Sequence, residues 1–164
     1  MTEWIDQFVA SLREELQQYG EMLARLDEQQ EWIAKRASDA LIESVGYVER
    51  QVQILQQART ARETIMRQII GYLELPKDCG LGALLAHFPL HYRPLIEALV
   101  DENTQLLVRV QQRTRQNHLL LMHSLEAMQR LIKSMFPERS STVYSLNGRT
   151  PQSGSSTVLF EAVS

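Results

Sequence analysis

Residues 5–26 read IDQFVASLREELQQYGEMLARL, and this stretch decides the fold class. Its apolar residues recur every three or four positions, at Ile5, Phe8, Leu12, Leu16, Tyr19, Leu23 and Leu26. That spacing places them on one side of an α-helix and is typical of helices packed lengthwise. A second run with the same period follows at Val45, Val48, Val52, Leu55, Ile65, Ile69 and Leu73. Because no proline precedes Pro76, nothing in this part of the chain forces a helix to stop.

A single helix through both runs would be about 105 Å long at 1.5 Å per residue, and the rest of a 164-residue chain is too short to cover it. We therefore predict a reversal between Asp27 and Asp39, where the apolar period lapses, with Ser38 or Asp39 capping the next helix. Pro76 ends that helix, a short helical turn follows over residues 81–87, and a third long helix runs from Pro94 to Met135. The predicted fold is all-α, an elongated antiparallel bundle of three to four helices.

Polar residues interrupt the apolar stripe of the third helix at Asn103, Thr114, Asn117 and Ser124. Asn or Thr between packed helices lowers stability but fixes their register. We predict this role for Asn103 and Thr114. For Asn117 and Ser124 the sequence leaves two roles open, register and partner binding.

The composition excludes several classes of function. The chain has 17 basic and 20 acidic residues and a net charge of −3, so it lacks the basic surface that nucleic-acid binding requires. No apolar run approaches the roughly 20 residues of a membrane span, and the first residues do not resemble a signal peptide. A single cysteine, Cys79, excludes an internal disulfide framework. These features are typical of a cytosolic protein.

The composition changes after Pro137. We predict that residues 1–137 form the helical bundle and that residues 138–164 form a flexible tail, because residues 138–156 are rich in Ser, Thr, Gly and Asn. The last eight residues, 157–164, turn apolar again; they are too short to form a stable helix alone, and we expect that they can dock on the bundle.

The residues that catalysis or metal binding needs are not arranged in any motif. The sequence contains no Gly-rich phosphate loop, no Gly-x-Ser-x-Gly elbow, no Cys-x-x-Cys and no Glu-x-x-His. His87 and His91 are separated by Pro89, which breaks the helical geometry that would pair them. We predict no enzyme activity, no cofactor and no metal site. An enzyme or metal-dependent sensor that uses His87, His91 and His123 is the least favoured hypothesis.

Residues 117–125 read NHLLLMHSL and resemble a motif late in flagellar export chaperones of the FlgN family. In that motif an Asn is followed three residues later by a Leu, and a Ser-Leu pair comes after it. Residues 81–85, LGALL, precede a proline segment and the long helix, as in that family. Residues 144–148, YSLNG, are similar to the family's Tyr-x-x-x-Gly element.

This resemblance implies a cytosolic chaperone without ATPase activity. Such proteins bind the helical carboxy-terminal ends of hook–filament junction proteins, prevent their premature assembly and deliver them to the membrane export gate of the flagellar type III apparatus. It assigns docking at the gate to the element of Tyr144 and Gly148. It implies no nucleic acid, no membrane insertion and no small-molecule substrate.

The third helix offers the surface for such a client. An amphipathic client helix needs an apolar groove, and methionine suits imperfect fits. The predicted client-binding residues are Asn117, Leu120, Leu121, Ser124, Leu125, Met128, Ile132 and Met135. The alternative is a self-associating helical-bundle adaptor or scaffold with no export role, since apolar stripes of this kind commonly pair with a second copy.

Overall fold

A computed structural model describes residues 2–135, and these residues form four helices and no strand. The helices are α1 (Thr2–Lys35), α2 (Ser38–Tyr72), α3 (Leu81–Leu85) and α4 (Arg93–Met135). The all-α bundle is confirmed, as are the reversal between Asp27 and Asp39 and the long third helix that reaches Met135. The predicted tail, residues 138–164, lies outside the described residues.

The reversal is built by the end of α1 and not by a side-chain cap on α2. Arg36 adopts a positive φ of 54°, its N–H donates to the Ile33 carbonyl at 3.2 Å, and the Ala37 N–H donates to the Trp32 carbonyl at 3.1 Å. These two bonds are the Schellman arrangement, which satisfies the last carbonyls of a helix. The N-cap of α2 is Ala37, without a side-chain cap bond, so the predicted capping by Ser38 or Asp39 is wrong.

The end of α2 uses the same arrangement. Glu74 has a φ of 54°, its N–H donates to Gly71, and the Leu75 N–H donates to Ile70. The helix therefore ends at Tyr72. Pro76 disfavours helical backbone angles only at the residue before it, Leu75, which already lies outside the helix.

Helix α1 is the centre of the bundle. Helix α2 returns antiparallel to it and α4 runs parallel to it, and both pack along its length. The backbones of α2 and α4 come close to each other at few points, so each of these helices packs on α1 and hardly on the other. Buried α1 residues accordingly recur along the whole helix, from Ile5 to Ile33.

The apolar core lies at one end of the bundle, which we call the proximal end. There the start of α1, the end of α2, α3 and the start of α4 meet, and Phe8 packs edge-on against Phe88 at 6.4 Å between ring centroids. The core residues are Ile5, Phe8, Val9, Leu12, Ile69, Ile70, Leu84, Leu85, Phe88, Ile96 and Leu99. The opposite end, around the turn at Arg36, is the distal end.

Two buried asparagines fix α4 against α1. Asn103 Nδ2 donates to the Leu12 carbonyl at 3.0 Å, and Asn117 Nδ2 donates to the Leu26 carbonyl at 2.8 Å. Both pairs are 91 residues apart in sequence, so the register of the parallel helices is unchanged over the four turns or so between them. The predicted register role is confirmed for Asn103. It is wrong for Thr114, which is exposed and donates to Val110 in its own helix.

Replacing Phe8 by alanine should lower the free energy of unfolding by about 3–5 kcal/mol, because the large side chain leaves a cavity in the proximal core. Urea denaturation followed by circular dichroism measures the change. Leu90→Ala is the control, since Leu90 is 76% exposed and its loss should change stability by less than about 0.5 kcal/mol. Equal losses in the two variants would contradict this placement of the core.

The hydrogen bonds of the two asparagines should also contribute to the free energy of unfolding. Asn103→Ala and Asn117→Ala should each cost about 1–3 kcal/mol, because each removes buried hydrogen bonds and leaves space between α1 and α4. Thr114→Ala should cost less than about 0.5 kcal/mol in the same urea experiment, since it removes only an exposed bond within one helix. A loss at Thr114 as large as that at Asn117 would overturn the assignment.

Candidate functional site

Helix α4 extends past the helix on which it packs. Asn117 lies opposite Leu26, and α1 ends at Lys35, so α4 has no α1 residue opposite it beyond about residue 126. Its last two to three turns reach past the distal end of the bundle. A helix that no longer contacts its neighbour has no need of an apolar side.

The apolar spacing of α4 nevertheless continues to its last described residue. Leu121 follows Asn117 by one helical turn and is half-buried, and the next residues at steps of three and four are exposed by half or more. They continue the face that packs on α1 earlier in the helix. We call this set the distal surface; it consists of Leu121, Leu125, Met128, Leu131, Ile132 and Met135.

A cleft of about 420 Å³ lies at the base of the distal surface. Ile33, Arg36 and Leu41 line it from the turn between α1 and α2, and Leu121 and Met128 line it from α4. The cleft is mainly apolar, with the guanidinium of Arg36 and the ring of His118 among the polar groups that line it. It therefore offers the combination of apolar contacts and a few polar groups that binds an amphipathic segment.

A second cleft, of about 290 Å³, lies between α2 and α4 near the proximal end. Its floor carries Glu15, which is only 4% exposed. Arg62 Nε donates to Glu15 Oε2, and Arg59 Nε lies 3.8 Å from Oε1. Two guanidinium groups thus compensate one buried carboxylate, as a buried charge requires. Burial raises the pKa of the neighbouring Tyr19 hydroxyl, and the charge of Glu15 raises it further, so Tyr19 is neutral at pH 7.

The structure divides the predicted client-binding residues into groups. Leu121, Leu125, Met128, Ile132 and Met135 lie together on the distal surface. Ser124 lines the cleft at the base of that surface, whereas Leu120 is exposed and does not line the cleft.

Asn117 stands apart from the others. It is 2% exposed, and besides its bond to Leu26 it donates to Gln29 Oε1 at 3.1 Å. Its amide is enclosed between α1 and α4. It therefore fixes the position of α4, and with it of the distal surface, without being part of that surface. Tyr144 and Gly148, the residues predicted to dock at the export gate, lie outside the described residues.

Sequence reasoning missed part of this site. Leu131 was left out of the predicted set, although its spacing of three residues from Met128 places it on the same side of α4. Ile33 and Leu41 lie on either side of the turn between α1 and α2 and were not predicted to bind a client. They line the distal cleft because α4 extends beside the turn, which no local pattern encodes.

The described residues carry no arrangement suited to metal chemistry. Within residues 2–135 no three His, Cys, Asp or Glu side chains come together as metal ligands. Among the helices of that same range, none combines the length and apolar character that crossing a membrane demands. The described residues do carry the exposed apolar side chains of the distal surface and the cleft at its base.

Comparison with known proteins identifies the family of the chain. No curated protein and no solved structure is significantly similar to the chain. A family model does match: that of the FlgN family, described as FlgN protein, over residues 1–152. The match covers all four helices and extends through Tyr144 and Gly148. Because it spans most of the sequence, the chain belongs to the FlgN family, a family of flagellar export chaperones and not of enzymes.

Proposed function

We propose that this protein binds the helical carboxy-terminal ends of hook–filament junction proteins in the cytosol, prevents their premature assembly and delivers them to the type III export gate. One observation carries the proposal. Helix α4 keeps its apolar spacing for about nine residues beyond the end of α1, the helix on which that side packs. Family membership supports a role with flagellar proteins in general, and the distal surface supplies a place to bind them.

The size of the distal surface fits a helical client. From Leu121 to Met135 it extends about 21 Å along α4, at 1.5 Å per residue, which is the length of a four-turn helix. An amphipathic helix placed along it would bury large side chains that are otherwise in water, at about 25 cal/mol for each Å² of apolar surface. Met128 and Met135 have flexible side chains that adapt to clients of different sequence.

The same surface is the basis of the alternative function. Two copies of the chain could pair along their distal surfaces, which would make the protein a self-associating adaptor. Sedimentation distinguishes the two functions, because a stable dimer formed through α4 would leave no room there for a client.

Docking at the export gate is the second part of the proposal. Its support is the similarity of residues 144–148 to the family's Tyr-x-x-x-Gly element, within the segment that the family model matches. Tyr144 and Gly148 are the proposed docking residues. Client binding and gate docking then use different parts of the chain.

Met128→Asp should weaken the binding of a junction-protein carboxy-terminal peptide by about tenfold or more. The substitution places a charge where a side chain worth about 1.5–3 kcal/mol should be buried. Isothermal calorimetry measures the affinity, and the unaltered chain should bind one peptide with a negative heat-capacity change. A scrambled peptide should give no heat.

Leu90→Asp is the matched control for that variant. Leu90 is a more exposed leucine at the opposite end of the molecule, so its replacement should leave the affinity unchanged. If Met128→Asp remains folded and binds the peptide as well as Leu90→Asp does, the distal surface is not the client site.

Tyr144→Ala should leave the peptide affinity unchanged and abolish binding of the chaperone–peptide complex to purified export-gate protein. The control is Tyr72→Ala, which removes an exposed tyrosine from α2. A loss of peptide binding in Tyr144→Ala would place the tyrosine in the client site and contradict its assignment to the gate.

A further inference from the structure

Helix α2 carries an apolar stripe that does not face α1. Its buried residues in the distal half are small or polar: Ser44, Gln51 and Ala58, spaced seven apart. The stripe lies to one side of them and consists of Val45, Val48, Val52 and Leu55, of which Val45 and Val52 are largely exposed. A stripe of this kind is unpaired within the described part of the chain.

Helical spacing shows which way the stripe faces. Val52 follows Leu41 by three turns and precedes Arg59 by two, so the three residues share one side of α2. Leu41 lines the distal cleft and Arg59 lines the proximal cleft. The stripe therefore lies on the side of α2 that faces the space between α2 and α4, in line with the residues that line the two clefts. We call this space, from Leu41 to Met66, the groove.

Helix α4 supplies the other side of this groove, with residues spaced by seven. Val100 and Leu107 line the proximal cleft, Leu121 lines the distal cleft, and Thr114 falls between them. Since α2 and α4 scarcely approach each other, the groove is open along α1. From Leu41 to Met66 it is about 37 Å long, equivalent to about seven helical turns.

The proximal part of the groove contains Arg59, whose partly exposed guanidinium group is within reach of a ligand. Arg62 is the closer partner of Glu15, whereas Arg59 is 3.8 Å from the carboxylate and its side chain is 43% exposed. Arg62 Nη2 also lies 3.9 Å from Oε1 of Glu63, so Arg59 is the arginine with the weaker carboxylate contacts. A carboxylate of a ligand could accept hydrogen bonds from the guanidinium group of Arg59, which is partly shielded from water; charge-assisted bonds of this kind are strong.

The apolar residues around Arg59 indicate where that carboxylate comes from. Leu55 lies one turn before it on α2, and Met66 and Leu81 lie beyond it toward the proximal end. A helix in the groove therefore continues past Arg59 on both sides. The carboxylate belongs to an Asp or Glu side chain on that helix and not to its terminal carboxyl group.

We propose that the groove between α2 and α4 receives one amphipathic helix of the client, which completes a four-helix bundle, and that Arg59 fixes its register by pairing with an acidic residue within the client's apolar side. The proposal rests on the proposed function and extends it, since the groove meets the distal surface at Leu41 and Leu121. The partly exposed guanidinium group of Arg59 and the length of the apolar stripe are the grounds for this occupant.

The first test compares Val52→Asp with Ile54→Asp in the full chain. The two residues are similarly exposed, at 52% and 44%, but Ile54 lies on the other side of α2. Val52→Asp should weaken the binding of junction-protein carboxy-terminal peptides about tenfold in calorimetry, and Ile54→Asp should leave it unchanged. Circular dichroism confirms that both variants are folded. Equal affinities in the two variants would overturn the proposal.

The second test concerns Arg59. Arg59→Gln should weaken peptide binding about tenfold, the range expected of a hydrogen bond to a charged group. Each Asp and Glu of the peptide is then replaced by its amide in turn, and one replacement should weaken binding to the unaltered chain but not to Arg59→Gln. Arg50→Gln, on the opposite side of α2, should change nothing. If no peptide residue is coupled to Arg59, the register assignment is wrong.

Amidation of the peptide's terminal carboxyl group distinguishes the remaining source of charge. It should leave the affinity unchanged; a loss that is absent in Arg59→Gln would assign the arginine to the terminus and overturn the assignment to a side chain.

Other outcomes separate this proposal from the proposed function. If Met128→Asp weakens binding while Val52→Asp does not, the distal surface is the client site and the groove proposal fails. If no junction-protein peptide binds the unaltered chain, both fail.

Two results would assign the groove to another occupant and overturn the proposal. A dimer of the free chain that Val52→Asp converts to a monomer in sedimentation would show a second copy in the groove. Faster hydrogen exchange of residues 158–163 in the peptide-free Val52→Asp variant would show the chain's own last residues there.

Discussion

The arrangement of this molecule depends on two amide groups that hold α4 parallel to α1. Asn103 and Asn117 reach the carbonyls of Leu12 and Leu26, and no shift of α4 by a turn would preserve both bonds. An interface of apolar side chains alone tolerates such shifts more easily, because one leucine replaces another. The asparagines therefore determine how far α4 extends beyond the distal end, and with it the extent of the apolar surface that is left uncovered. The ion pair between Arg113 of α4 and Asp27 of α1, at 2.7 Å, supports the same register.

Much of the fold was accessible from the sequence. The three- and four-residue spacing from Ile5 to Leu26, the lapse after Asp27 and the prolines from Pro76 onward were sufficient for three long helices and a short one. The helix ends were less accessible. Arg36 and Glu74 occupy left-handed positions where glycine is the usual signal, so the sequence gives no local indication of the two Schellman turns. Capping by Ser38 or Asp39 was the reasonable expectation, and the backbone satisfies the ends of α1 in another way.

The candidate site was accessible only in part, for a related reason. Periodicity groups Leu121, Leu125, Met128 and Ile132 on one side of α4, but it does not show that α1 ends before they do. Likewise, the α2 stripe of Val45 and Val52 reads as core, whereas in the structure α2 meets α1 through Ser44, Gln51 and Ala58. Which of two adjoining sides is buried depends on how three helices are arranged, and each helix alone is compatible with either. Asn117 shows the reverse case, because the family motif points to it while its amide is enclosed.

The unequal packing along the bundle has a mechanical consequence. Aromatic and aliphatic side chains from all four helices pack together at the proximal end. Farther along, α1 still buries apolar residues, but α2 contributes only a serine, a glutamine and an alanine to the buried contact, and Gln51 bonds to Gln18. Regions with few apolar contacts open at a lower free energy than the rest of a protein. The distal half should therefore open at a lower free energy than the proximal core.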